Sequence, residues 1–166
     1  IGSGTGQHAV HFGGHLPHLT WQPTDVAAHL PGVRAWLGEA DLENVREPLV
    51  LDLDQERWPV AGVEGAFSAN TAHIVSWPQV RRMFLGVAGH LPPGGAFCLY
   101  GPFAYGGTHT SGSNARFDAV LRGRDPDSGI RDLRDLEALG EEAGLRLEAD
   151  HAMPANNRTL VWRKEG

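Results

Sequence analysis

The chain has 166 residues and a net charge of −6 at pH 7, and Lys164 is its only lysine, so no basic stripe exists to follow a phosphate backbone and nucleic acid is excluded as the main partner. The single cysteine, Cys98, rules out an internal disulfide framework, and no apolar run approaches the roughly 18–20 residues of a membrane span. What remains is one soluble domain, long enough for a real core and too short for two, with the cytoplasm as its expected address.

The chain opens on Ile1-Gly2-Ser3-Gly4-Thr5-Gly6-Gln7. Glycine lacks a Cβ and reaches positive φ without strain, so Gly2, Gly4 and Gly6 can lay main-chain N–H groups against a ligand just before a helical pattern begins. The third glycine of a dinucleotide fingerprint would fall on Gln7 and stands instead at Gly6, giving G-x-G-x-G. That form is similar to the first motif of class I S-adenosylmethionine-dependent methyltransferases; the alternative is a glycine-rich turn that holds no ligand. Such a loop normally follows a strand and only Ile1 stands before Gly2, so the first strand is expected to be largely missing from the chain as given, or supplied by a partner chain.

Residues 7–15 read as a helix that packs Ala9, Phe12 and Gly13 on a sheet. Residues 19–22 read as a short strand ended by Pro23, followed by Asp25. This acid lies about 20 residues beyond the loop, where the second strand of a nucleotide-binding unit places a carboxylate for ribose hydroxyls; a surface turn is the alternative. A weak helix over 33–42 and a strand over 48–52 follow, the latter bringing Asp52 and Leu53 to a strand end, there to meet an adenine or else to form a solvated turn. Residues 63–70 make the next strand and run into Asn70-Thr71-Ala72-His73.

Ser76, Pro78 and Gln79 start the clearest helix, whose stripe of Val80, Met83, Phe84, Val87, Ala88 and Leu91 is core. After the stop at Pro92-Pro93-Gly94-Gly95, residues 96–100 form a buried strand in which Cys98 is an inert thiol. The glycine- and threonine-rich residues 101–112 read as a loop that covers a ligand. Residues 113–118 open another helix, Asp132 caps one that ends at Gly144, and strands over 145–149 and 159–163 return antiparallel through Met153-Pro154-Ala155-Asn156-Asn157. This order predicts an α/β sheet with helices on both faces and an antiparallel strand near its edge.

Seven strings together resemble one family: IGSGTGQH from Ile1, WQPTD from Trp21, ANTAH from Ala69, LYGPF from Leu99, SNARFD from Ser113, GIRD from Gly129 and MPANN from Met153. They look like the DUF938 family, which includes the methyltransferase-like 26 proteins and has the class I S-adenosylmethionine-dependent methyltransferase fold. The resemblance implies a Rossmann-like, seven-stranded, mostly parallel sheet with S-adenosylmethionine, or S-adenosylhomocysteine, across the strand ends. It puts Gly2, Ser3, Gly4 and Gly6 against the methionine part, Asp25 on the ribose, Asp52 and Leu53 on the adenine, and Asn70 and His73 near the sulfonium. The acid usually found before the first glycine is absent from this chain.

The function that follows is a methyltransferase acting on a small molecule. The alternatives are a protein of the same fold that binds the cofactor without methylating, such as a cyclase, and a subunit of a heteromer; a homodimer also remains open. Because a sulfonium is an activated leaving group, the protein has mainly to position an acceptor and take its proton. His73, His109, Asp118 and Tyr100 are the candidates for that proton, set against a histidine that only caps its turn and a tyrosine that is only core. Asn114, Arg116 and Asp118 with Tyr105 and His109 are candidate acceptor contacts, Arg124 a candidate carboxylate partner unless it pairs with Asp125 or Asp127, and Asn156 and Asn157 either offer amides to a substrate or hold a turn. His8, His11 and His15 share a helix face, but no acid or cysteine joins them at ligand spacing, so no metal is expected.

Overall fold

The computed structural model describes residues 1–166 and divides into two compact units, residues 1–59 and 60–166. The first holds helix α1 (Gln7–His15), strand β1 (Thr24–Asp25), helix α2 (Leu30–Ala40) and strand β2 (Leu49–Val50), with β1 and β2 parallel. The strand expected at 19–22 lies further on. Pro23 does not end it, because a ladder can use the proline carbonyl alone: Pro23 O accepts from Leu49 N at 3.1 Å, within an extended run that begins at Trp21. Likewise Pro31 does not precede α2 but sits in its first turn, where its missing N–H costs nothing.

In the second unit, β3 (Gly65–Ala69) leads into helix α3 (Trp77–His90), β4 (Ala96–Gly101), the hairpin β5 (Phe103–Tyr105) and β6 (Thr108–His109), then helix α4 (Gly112–Arg124). Strand β7 (Arg131–Asp132), helix α5 (Leu133–Ala143), β8 (Leu145–Met153) and β9 (Asn157–Lys164) complete it. One sheet runs β3-β4-β9-β8 with only its first pair parallel; another runs β6-β5-β7. The α/β class expected from the sequence is what forms, but its strands fall into three small sheets and are not seen as one seven-stranded, mostly parallel unit.

Residues 101–112 are not an irregular cover either. Gly106 and Gly107, at φ 61° and 80°, make the two-residue turn that matches strand twist, and Asp132 Oδ2 accepts from Gly107 N at 2.5 Å, so the segment is a pinned hairpin. The return between β8 and β9 is the short antiparallel one expected, through a single turn at Pro154–Asn156.

The core of this unit is set by aromatic rings at edge-to-face angles. Phe84 of α3 meets Phe97 of β4 at 5.4 Å and Trp162 of β9 at 5.3 Å, all three essentially without exposure. Each such ring contributes about 1.5–3 kcal/mol by burial. Helix α5 approaches β9 so closely that a Cβ on Gly140 would lie 2.6 Å from the Trp162 ring and 2.7 Å from Leu145 O, and only glycine fits there.

Candidate functional site

In the first unit the opening loop is folded into a cradle. Gly2, Gly4 and Gly6 all take positive φ, at 66°, 58° and 95°. The loop is stitched to β1: Ser3 N donates to Thr24 O at 3.0 Å, Thr24 N donates to Ser3 Oγ at 3.2 Å, and Gly4 N donates to Asp25 Oδ2 at 2.6 Å. Asp25 is buried, and its other oxygen accepts from Val26 N at 2.7 Å and lies 2.9 Å from His29 Nδ1.

The glycines are not equivalent. A Cβ on Gly6 would meet Val33 Cα at 3.1 Å and its carbonyl oxygen at 3.3 Å, so Gly6 lets α1 pack on α2. A Cβ on Gly4 would meet nothing within 4 Å. Packing therefore explains Gly6 and not Gly4, whose bare backbone borders open space. Leu53 is buried, and Asp52 is exposed with Oδ1 accepting from Asp54 N at 2.9 Å, the geometry of a local turn.

In the second unit a cleft of about 580 Å³ is lined by Asn70, His73, Asn114, Phe117, Asn156 and Asn157, and no Asp, Glu, Lys or Arg reaches it. The turn that carries His73 is held by an uninterrupted set of donors: Ala72 O accepts from Arg131 Nε at 2.8 Å, His73 O from Gly129 N at 2.9 Å, Ile74 O from Ser128 Oγ, and Val75 O from the Arg131 guanidinium. Four consecutive carbonyls thus end on residues 128–131. Burial, helped by the nearby Arg131 charge, pushes His73 down to about 4, so its imidazole is neutral near pH 7. Phe117 meets its ring edge-on at 5.3 Å and is itself half-exposed.

Three amides of this cleft donate inside the chain. Asn114 Nδ2 donates to Thr110 Oγ1 at 2.9 Å and Asn156 O at 3.0 Å, Asn156 Nδ2 to Ser113 Oγ at 3.2 Å, and Asn157 Nδ2 to Pro154 O at 3.2 Å. Asn70, at φ 60°, donates its backbone N–H to Tyr100 O and keeps its side-chain amide beside His73, both flanking Gly101.

His109 and Asp118 belong to a neighbouring hollow of about 490 Å³ with Trp77, Arg122 and Arg131. His109 Nε2 lies 3.6 Å from Asp118 Oδ2, and its buried Nδ1 has no partner. Burial alone would raise Asp118, but hydrogen bonds from Arg122 and the Ile130 amide outweigh it and hold the carboxyl below its usual range.

The other expected contacts lie elsewhere. Tyr105 donates to Asp150 Oδ2 at 2.7 Å beneath the Arg158 guanidinium, and burial together with that carboxylate pushes its hydroxyl up to about 12, so it ties β5 to the β8–β9 pair. Tyr100 is half-buried on β4, while Arg116 and Arg124 are exposed along α4. Arg131, Ser128 and Phe117 were not legible as site residues, since an arginine in a strand of two residues has no motif; only the string Gly129-Ile130-Arg131-Asp132 marked the place.

Solved structures align with nearly the whole chain. An S-adenosylmethionine-dependent methyltransferase, SibL, in its apo form is 24% identical at a TM-score of 0.84, over 99% of this chain and 49% of that chain. An O-methyltransferase family protein from Burkholderia thailandensis is 17% identical at 0.86, over 99% and 49%, and a pericyclic reaction enzyme is 18% identical at 0.82, over 99% and 42%. The fold is therefore that of S-adenosylmethionine-dependent methyltransferases, and the chain spans about half the length of the structures it matches. A family model described as "Protein of unknown function (DUF938)" matches residues 1–164, and the chain belongs to that family.

Proposed function

We propose that the chain binds S-adenosylmethionine through its first unit and serves as the catalytic domain of a methyltransferase acting on a small molecule. The observation that carries this reading is the opening loop: three positive-φ glycines, one of which, Gly4, has open space where a side chain would be and an amide fixed by Asp25. In this reading Gly2, Ser3, Gly4 and Gly6 receive the methionine part, Asp25 accepts a ribose hydroxyl, and Asp52 with Leu53 borders the adenine. The cofactor supplies a methyl group on an activated sulfur. This chain's own residues bind it, orient the acceptor and move one proton: His73, neutral at pH 7, takes the hydrogen of an acceptor hydroxyl, while Asn70, Asn114 and Asn156 hold the acceptor in the cleft.

Likeness to a pericyclic reaction enzyme favours a second reading, in which the same loop holds the cofactor and no methyl group moves. Isothermal titration of the full-length protein with S-adenosylhomocysteine tests what both share; saturable heat supports the loop assignment, and its absence refutes both. Mass spectrometry of turnover mixtures then separates them, since transfer adds one methyl group to the product and the second reading adds none.

A further inference from the structure

We propose that the hollow lined by Trp77, Arg131 and Asp135 holds a small zwitterion of the amino-acid class, with its carboxylate on Arg131 and its ammonium on Asp135. This hollow, of about 490 Å³, shares no lining residue with the cleft around His73 and is a second site, outside the reaction assigned to that cleft. Arg131 is 9% exposed, and the chain uses only part of its guanidinium. Its Nε donates to Ala72 O at 2.8 Å and its Nη2 to Val75 O and Asp127 O, while the two N–H groups of Nη1 donate to nothing. Nη1 is not sealed in, because the buried side-chain atoms without a partner are Thr24 Oγ1, His109 Nδ1 and Trp162 Nε1; it borders the hollow that Arg131 lines. A cation held this far from water with donors to spare is destabilising until an anion takes them, and burial, followed by the charge of Arg122, holds Arg131 below its usual range.

The acids of the hollow leave that need unmet. Asp118 accepts from Ile130 N at 2.7 Å and Arg122 Nε at 2.9 Å, and Asp132 accepts from Arg134 N at 3.0 Å and Gly107 N at 2.5 Å, so each has partners of its own. Asp135, in the first turn of α5, makes no hydrogen bond or ion pair in the chain. Arg131 and Asp135 thus line one hollow with opposite charges, each with polar atoms unspent, and do not pair with each other. A carboxylate or phosphate alone would take the Nη1 donors and leave its like charge facing Asp135; an amine alone would reach Asp135 in a hollow that holds two guanidiniums. A molecule that carries both groups answers both. Trp77, partly exposed with its ring centre 5.9 Å from the Arg131 guanidinium carbon, and buried Ile130 supply apolar surface for a short side chain.

Three probes with one side chain test this: leucine, 4-methylpentanoate, which lacks the amine, and 3-methylbutylamine, which lacks the carboxylate. Each is titrated by ligand-observed NMR at pH 7 into the full-length protein without cofactor, so that the outcome is separate from that of the S-adenosylhomocysteine titration. Leucine is expected to bind at least about tenfold more tightly than either single-charge probe. Asp135→Asn, at an exposed position where the carboxylate bonds to nothing, is expected to cost leucine about tenfold and to leave 4-methylpentanoate no weaker. Asp135→Lys is expected to reverse the order, so that 4-methylpentanoate binds more tightly than leucine. Binding of either single-charge probe to the wild type as tightly as leucine would overturn the proposal. So would an order of affinities that neither substitution changes, or no saturable binding of any probe.

Discussion

Gly4→Ala and Gly6→Ala are the same chemical change two residues apart, and the structure assigns them different consequences. Both positions have positive φ, 58° and 95°, so an alanine at either costs about 1–2 kcal/mol in backbone strain. At Gly6 the added methyl also sits 3.1 Å from Val33 Cα and 3.3 Å from Val33 O, backbone atoms of a helix that cannot rotate away, which adds roughly 1–3 kcal/mol. At Gly4 it meets nothing. Urea denaturation of the full-length protein should therefore show Gly6→Ala losing about 2–5 kcal/mol and Gly4→Ala only about 1–2. Titration with S-adenosylhomocysteine should invert the usual expectation: the more stable variant, Gly4→Ala, binds at least about tenfold more weakly, because its methyl occupies the open space assigned to the cofactor. Equal losses of stability would refute the packing argument, and unchanged affinity in Gly4→Ala would refute the role given to the loop.

Arg131→Met removes the donor to three carbonyls, those of Ala72, Val75 and Asp127, and should cost about 3–5 kcal/mol by denaturation; in whatever fraction folds, the His73 pKa read by NMR should rise once the neighbouring cation is gone. Because His73 is pushed down to about 4 in the folded chain, the unfolded chain binds more protons between that value and 6.5. That stability is fully present above pH 6.5 and is lost as pH falls toward 4, about 3 kcal/mol in all, and His73→Gln should flatten this window of the pH–stability curve. Gly140→Ala drives a methyl into Trp162 and Leu145 O, and a thermal melt should show a loss of about 2–4 kcal/mol, partly recovered by Trp162→Phe. Tyr105→Phe breaks the bond to Asp150 and should lower stability by about 1–2 kcal/mol while leaving the binding of S-adenosylhomocysteine unchanged.

The helices and long strands were readable because their signals are local. Ser76 and Gln79 specify the start of α3, and in the structure Gln79 Oε1 accepts from Ser76 N at 3.0 Å; Asp132 and Gly144 bracket α5 as expected. The hairpin at 103–109 was hidden because Gly106-Gly107 within a run of Gly and Thr reads equally as a loose loop, and its pairing with β7 joins residues far apart in the chain. Asp25 was singled out by spacing, but its bond to Gly4 N could not be read, since that contact depends on how the loop folds back over β1. The cluster around His73 shows the same limit more fully. Asn70 and His73 stand in one turn and could be picked from it, whereas Asn114 and Asn156 meet them only through α4 and the β8–β9 return, and Arg131 supports them from a strand of two residues.

The grip of residues 128–131 on the carbonyls of 72–75 has a consequence for assembly. The two segments are separated by more than fifty positions, as the 59 between Arg131 and Ala72 shows, so the bonds form only after a long loop has closed. Until then the turn at His73 has four unanswered carbonyls, and its histidine is an ordinary solvated imidazole. The setting of His73 is thus completed late: the carbonyls of its turn find their donors only when the chain beyond α4 has docked, and a nascent chain that ends before Ser128 has none of these bonds.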